Sequence, residues 1–213
     1  MILKQFPNIG YLEHRFLDEE LSFLREEVDE IKNNFDSSIP ANDGLAGNLE
    51  REFLLSKSHN QLEFLLFPYL ISFTREHNLF VTINYTTHDV PLTLASSWVN
   101  FQKKGEFNPV HSHNGVVSFV LYLDVPYDIK DEMNLPSSRN SATNVPAHFS
   151  FFYTTTLGKI GISNIPVDKT YRNVLLMFPA KLSHSVYPFY TSDDYRISVS
   201  GNFSLNTANA ASI

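Results

Sequence analysis

His111 and His113 sit two apart, between a turn at Gly105–Pro109 and a run of β-branched and aromatic residues, Val116–Leu123. In a strand successive side chains alternate faces, so residues i and i+2 point the same way. The two imidazoles then share one wall, with Ser112 turned to the other, and such a pair is half of a metal site. One packed and one solvated histidine at a strand end would give the same spacing. On the pair alone the metal site is the weaker reading.

The other half would have to come from far downstream. A short apolar run, Val174–Phe178, ends at Pro179 and is followed by His184. A dozen residues later Arg196 opens the segment Arg196–Ser200, whose apolar and polar residues alternate as in a half-buried strand. An arginine on the inner face of that strand requires an anionic partner, because an unpaired buried charge is prohibitively costly. A bound carboxylate is one such partner, and its geometry suits the guanidinium fork. A salt bridge to Asp193 or Asp194 is the other.

With these residues in place the chain resembles the iron(II)- and 2-oxoglutarate-dependent dioxygenases of the prolyl-hydroxylase-like kind. More narrowly, it resembles a group of oxygenases seen in marine bacteria and tailed phages. The matching pieces are Trp98–Phe101 with Gly105, His111 and His113; the strand Ser118–Leu123; the block Phe178, Pro179, His184, Val186 and Pro188; and Arg196–Ser200. They span roughly residues 92–205. Each piece is weak alone, and their order and spacing carry the likeness.

The resemblance implies that His111, His113 and His184 hold iron(II). His113 stands where most of the superfamily has Asp or Glu, which raises the charge of the centre by one unit and changes the surroundings of the metal. Three imidazoles would also suit zinc, nickel or copper. It further implies that Arg196 binds the distal carboxylate of 2-oxoglutarate and that Tyr122 hydrogen-bonds the same group. A core tyrosine with its hydroxyl satisfied by backbone is nearly as good a reading of Tyr122. Phe101 stands ten residues before His111, where a tyrosine is frequent in the wider family; it would line the pocket, with Trp98 and Asn100 beside it. The implied reaction couples oxidative decarboxylation of 2-oxoglutarate by O2 to hydroxylation of an unactivated C–H bond, with peptidyl proline or another amino-acid residue as the first substrate to test.

These side chains need a scaffold, and the rest of the chain supplies its outline. A length of 213 residues suits one domain. Leu17–Phe35 reads as a helix that Asp18 can cap, with Leu21, Leu24, Val28 and Ile31 at helical spacing and Glu26–Glu30 as a solvated face. Residues 36–50 read as a loop, and Ser58–Asn78 as a second helix with Leu62, Leu65, Leu66, Tyr69, Leu70 and Phe73 as its buried stripe. From residue 79 the period shifts towards two, with strands expected at Phe80–Tyr85, Leu92–Phe101 and Phe149–Tyr153. The spacing of strands and turns suggests a double-stranded β-helix, a cupin-like jelly roll of about eight short strands. Residues 1–90 would be its helical support after a short N-terminal strand, 91–205 its catalytic core and 206–213 a polar tail. The segment 126–147 is too polar for core and reads as a long loop, a lid or a mobile connection.

Composition narrows the partners. A net charge of -7, with no run of Lys or Arg, disfavours a nucleic-acid surface. The absence of cysteine excludes disulfides and thiolate metal sites. With no signal-like leader and no apolar run long enough to span a bilayer, the expectation is a cytoplasmic protein that takes a small-molecule cosubstrate and O2. Two other classes fit the pattern less well. One is a three-histidine cupin-type dioxygenase that does not use 2-oxoglutarate, and Arg196 argues against it. The other is a non-enzymatic viral jelly roll, for which the histidines would be scattered.

Overall fold

The computed structural model describes residues 9–79 and 90–206. In chain order its strands are β1 (Leu12–Arg15), β2 (Glu52–Leu54), β3 (Leu92–Gln102), β4 (Asn108–His111), β5 (Val117–Asp124), β6 (His148–Thr154), β7 (Ile160–Pro166), β8 (Val174–Pro179), β9 (Ser183–Val186) and β10 (Arg196–Leu205). Its helices are α1 (Ser22–Asn33), α2 (His59–Glu76) and the short α3 (Ile129–Met133). The strands form two antiparallel sheets, a major one in the order β1-β8-β5-β10-β3-β2 and a minor one in the order β4-β9-β6-β7. This is a jelly roll with a few flanking helices, the expected class.

Alternation along the central strands gives the major sheet two different faces. Val99, Phe101, Phe119, Leu121, Leu175 and Val199 point to one side, into a core shared with Leu24, Val28, Leu62, Leu66 and Phe73 of α1 and α2. Val120, Tyr122, Val174, Leu176 and Phe178 point to the other, into a second core closed by Phe149, Phe151 and Ile165 of the minor sheet. Strands β5 and β8 are therefore buried on both faces and read as near-continuous apolar runs. Each fully buried Leu or Phe contributes about 1.5–3 kcal/mol of transfer free energy, so the helices clamp one side of the sheet and leave the other free to line a cavity.

Several local expectations change in the structure. The first helix begins at Ser22, after a 3-10 turn at Glu19–Leu21, and Asp18 does not cap it. Asp18 instead accepts from Asn173 Nδ2 (2.8 Å) and Arg172 Nη1 (3.0 Å), tying the segment before α1 to the turn before β8. Glu27, expected on a solvated face, is buried and accepts the backbone N–H groups of Ser56, Lys57 and Ser58 at 2.7–2.9 Å. It thereby takes up donors left free where the chain turns into α2. The N-terminal part is also more than helices, since β1 and β2 form the two outer strands of the major sheet.

The segment 126–147 is the largest change. It contains α3, and within it Tyr127 and Glu132 are buried, polar residues that the sequence reading kept out of the core. The Glu132 carboxylate accepts from Tyr190 N (2.9 Å), Thr191 N (2.7 Å) and Thr191 Oγ1 (2.5 Å). Tyr127 stacks on Phe189, with ring centroids 4.6 Å apart. A strand expected at Phe80–Tyr85 lies outside the described residues, as do 207–213 of the tail. No helix among the described residues is long and apolar enough to cross a membrane.

Candidate metal centre and anion pocket

The three histidines meet. His111 ends β4, His184 lies in β9 directly opposite it in the register, and His113 follows β4 in the turn towards β5. One ring nitrogen from each lies within 4.8 Å of the others. Antiparallel pairing explains the first two, because directly opposed residues share a face. His113 is held by its own backbone, whose N–H donates to Ala180 O at 2.8 Å. His184 is buried, stacked on Phe149 (5.4 Å between centroids) and edge-on to Phe178.

The hydrogen bonds fix which nitrogens point inward. His111 Nδ1 lies 2.7 Å from Pro109 O and His184 Nδ1 lies 2.9 Å from Leu182 O. A carbonyl oxygen can only accept, so both Nδ1 atoms carry the proton and both Nε2 atoms present a lone pair. Nε2 of His113 stands 3.2 Å from Nε2 of His184. Burial lowers the pKa of all three rings, to about 4 for His113 and about 3 for His184, with the His111 ring opposing further charge on both. At neutral pH these are three uncharged donors turned towards one point, the form in which imidazole binds a cation.

The same cavity continues over the free face of the major sheet. Trp98, Asn100 and Gln102 line it from β3, Tyr122 from β5, and Arg196 and Ser198 from β10. The Trp98 ring lies 6.0 Å from that of His113. Phe101 does not line the cavity, which corrects the sequence reading. It is fully buried on the opposite face, against Phe35, Phe53 and Tyr195. The pleat requires this: Phe101 lies between Asn100 and Gln102, so it cannot share their face.

Arg196 is 1% exposed, and among the described residues it has no carboxylate partner. Asp193, one of the two aspartates that could have paired it, binds Lys104 instead. Among the described residues every guanidinium hydrogen bond goes to a neutral oxygen: Gln102 Oε1 from Nε (3.1 Å) and Nη2 (2.6 Å), Tyr127 OH from Nη1 (2.6 Å), and the carbonyls of Ala147 and Tyr187. A cation so buried and so compensated keeps its full charge for a ligand. Among the described residues the buried Tyr122 hydroxyl has no hydrogen-bond partner. Backbone does not satisfy it, and burial raises its pKa, so it is a neutral donor.

Three residues of the cavity and its support escaped the sequence reading. Gln102 was within reach, because the alternation that turns Trp98 and Asn100 inward turns Gln102 inward too. Tyr127 was hidden in the polar segment after Pro126. Glu52 sits on the three-residue strand β2, too short for any periodicity to register.

The stretch 96–202, half of the chain, matches the family described as "Putative 2OG-Fe(II) oxygenase". Among solved structures the fold is similar to a prolyl-4-hydroxylase from Pseudomonas putida (TM-score 0.54, 14% identity, covering 92% of this chain and 93% of that one). It is similar also to HygX from Streptomyces hygroscopicus, solved with nickel and 2-oxoglutarate bound (TM-score 0.53, 13% identity, 93% and 83%). A third is an oxidoreductase of the 2OG-Fe(II) oxygenase family from Burkholderia pseudomallei (TM-score 0.53, 12% identity, 92% and 84%). At such identities these likenesses bear on the fold alone. No curated protein matches the chain in sequence.

Proposed function

The chain belongs to the 2OG-Fe(II) oxygenase family, and on that premise we propose that it is a hydroxylase whose iron(II) is held by His111, His113 and His184 and whose 2-oxoglutarate is held by Arg196 and Tyr122. The observation that carries this is the meeting of three neutral imidazoles in one cavity with a buried guanidinium that has no acidic partner among the described residues.

The residues suit both groups. His111, His113 and His184 would hold iron(II) through three neutral imidazole nitrogens at the cavity wall. A carboxylate entering beside Arg196 would meet a cation compensated only by neutral oxygens, and the Tyr122 hydroxyl would gain the acceptor it lacks. When bound, iron(II) and 2-oxoglutarate supply the activation of O2 and the oxidising power, which no protein side chain provides. The chain's own work is placement. Nδ1–H bonds to Pro109 O and Leu182 O hold two rings in the ligating tautomer. Phe149 and Phe178 pack around His184 and keep bulk water from its ring. Gln102 and Tyr127 hold the guanidinium at a fixed angle beneath the cavity.

With no carboxylate among the three donors, the centre carries one more positive charge than the common arrangement, which favours a dianionic cosubstrate. The cupin-type alternative gives Arg196 no task. The first substrate classes to test are peptidyl proline and other amino-acid residues.

Anaerobic addition of iron(II) and then 2-oxoglutarate to the metal-free protein tests the assignment. A weak visible charge-transfer band should appear with both and with neither alone. On admitting air, succinate should form. Failure of the band in wild-type protein, or its persistence at unchanged 2-oxoglutarate affinity in Arg196→Gln, would reject these roles.

A further inference from the structure

A carboxyl group that the assigned chemistry does not use lines the same cavity. Glu52 is 1% exposed, and among the described residues its Oε1 has no hydrogen-bond partner. Its other oxygen receives one long bond, from Asn42 Nδ2 at 3.4 Å. No ion pair compensates it among the described residues. A second carboxylate, Glu106, acts on it and repels its charge. A buried carboxylate left in this state is costly unless something binds there.

The sheet register shows what Glu52 belongs to. Glu52 on β2 is opposite Asn100 on β3, Asn100 is opposite Ser198 on β10, and Ser198 is opposite Tyr122 on β5. All four line the cavity, in one row across the floor. Neighbouring strands lie about 4.8 Å apart, so the row runs on the order of 14 Å from Glu52 to Tyr122. Three of its polar atoms are buried and unpartnered: Glu52 Oε1, Asn100 Oδ1 and Tyr122 OH. The Asn100 amide nitrogen is already engaged with Ser198 and Ser200, which leaves its oxygen as a pure acceptor.

The floor is thus divided by polarity. Its β5–β10 end offers a free donor, the Tyr122 hydroxyl, beside the buried charge of Arg196, and suits the anionic cosubstrate. Its β2–β3 end offers acceptors, one of them a carboxyl, and suits a ligand rich in N–H. Resting on the oxygenase reading of the cavity, we propose that Glu52 and Asn100 form its substrate-recognition end and that the substrate carries a protonated nitrogen, as a lysine or arginine side chain or a free amine does. A proline within a peptide has no N–H on its ring nitrogen and would leave both acceptors unpaired, so the division of the floor disfavours it. The chain's net charge of -7 assists the approach of a cation. Gly47 belongs to the same arrangement. A Cβ there would lie 2.9 Å from both Glu52 Oε1 and Asn108 Nδ2, so any side chain at position 47 would crowd the carboxyl.

The test is a calorimetric titration of zinc-loaded protein, with and without 2-oxoglutarate. The cationic probes are N-acetyl-lysine methylamide, N-acetyl-arginine methylamide and putrescine; the neutral ones are N-acetyl-glutamine methylamide and N-acetyl-proline methylamide. At least one cation should bind tenfold or more tightly than either neutral probe. That advantage should fall at least tenfold in Glu52→Gln, which keeps the shape and removes the charge, and should fall also in Gly47→Ala, which crowds the carboxyl from the loop. Cations binding no better than the neutral probes, or an advantage that survives in Glu52→Gln, overturns the proposal. The 2-oxoglutarate affinity of wild-type protein is read separately, so loss of the oxygenase reading and loss of this subsite give different results.

Discussion

Gln102 and Arg196 face each other across β3 and β10, and one amide oxygen accepts from two guanidinium nitrogens, at 3.1 and 2.6 Å. This is the edge of the fork that a carboxylate grips in a bidentate ion pair, here occupied by a neutral group. The cation is therefore held in position without being neutralised.

Gln102→Glu would complete the pair internally. The new carboxylate would meet the same two N–H groups, and the charge available to 2-oxoglutarate would vanish. Affinity for 2-oxoglutarate should fall on the order of 100-fold, as when a buried charge partner is lost. The second carboxylate oxygen, standing where Gln102 Nε2 donates to Glu106 O, loses that bond, so the new ion pair brings no gain in melting temperature. Arg196→Gln should lose affinity to a similar degree. Titration of the charge-transfer band measures the first effect and differential scanning calorimetry the second.

Metal should stabilise the fold through residues that are far apart in sequence. At a metal concentration a hundredfold above Kd, binding to the folded state alone adds about 2.7 kcal/mol. For a chain of this length that corresponds to a rise of about 5–10 °C. In His184→Ala the shift should disappear at the same metal concentration, since the most buried of the three donors is gone. A full shift in that variant would mean that the ion binds elsewhere.

Glu52 should give stability a distinctive pH dependence. Burial, and secondly the Glu106 carboxylate, push its pKa up to about 7 from an ordinary 4.5. The other groups around it carry no compensating charge at contact: Asn42 is neutral, and Glu106 is engaged by the backbone N–H groups of Glu50 and Lys103. Arg196, across the same cavity, is bound by neutral oxygens. The folded state holds this proton more tightly than the unfolded chain does. The associated stability is complete below pH 4.5 and is lost as pH rises through about 7. At 1.36 kcal/mol per unit the loss reaches at most about 3 kcal/mol, less where water screens the group. Urea midpoints of wild-type protein should fall between pH 5 and 8 relative to those of Glu52→Gln. Parallel curves would refute the assignment.

How much of this was legible beforehand depended on where periodicity runs long enough to be read. The eleven residues of β3 and ten of β10 expose a clear alternation, so Trp98, Asn100 and Arg196 could be given a face before any coordinates. The same alternation, applied strictly, would have excluded Phe101, which was placed in the pocket by analogy with a tyrosine at that spacing. The three histidines could be grouped only through the family resemblance, since the pair alone favoured no metal; direct cross-strand pairing of His111 with His184 is what brings the distant ring to the pair. Glu52 and Glu132 were not legible: one sits on a strand of three residues, and the other in a segment whose polarity concealed a buried anchor. Phe101→Ala separates the two faces experimentally. It should cost about 3–5 kcal/mol of stability, as aromatic truncation in a core does, and leave the affinity for 2-oxoglutarate in the folded protein unchanged.

Glu132 should affect the cavity from a distance. Its carboxylate accepts the N–H groups of Tyr190 and Thr191 together with the Thr191 hydroxyl, and it is itself fully buried. This ties α3 to the segment carrying Phe189, on which Tyr127 stacks, and the Tyr127 hydroxyl accepts from Arg196 Nη1. In Glu132→Gln one oxygen becomes an NH2 group, which can only donate, so part of this set is left unpaired in a dry site. Each buried group without a partner costs about 1–3 kcal/mol, so the melting temperature should drop measurably. If the chain from Glu132 through Phe189 and Tyr127 to Arg196 orients the guanidinium, the affinity for 2-oxoglutarate should also fall several-fold, with metal affinity unchanged. A drop in stability with no change in 2-oxoglutarate affinity would confine Glu132 to holding the loop.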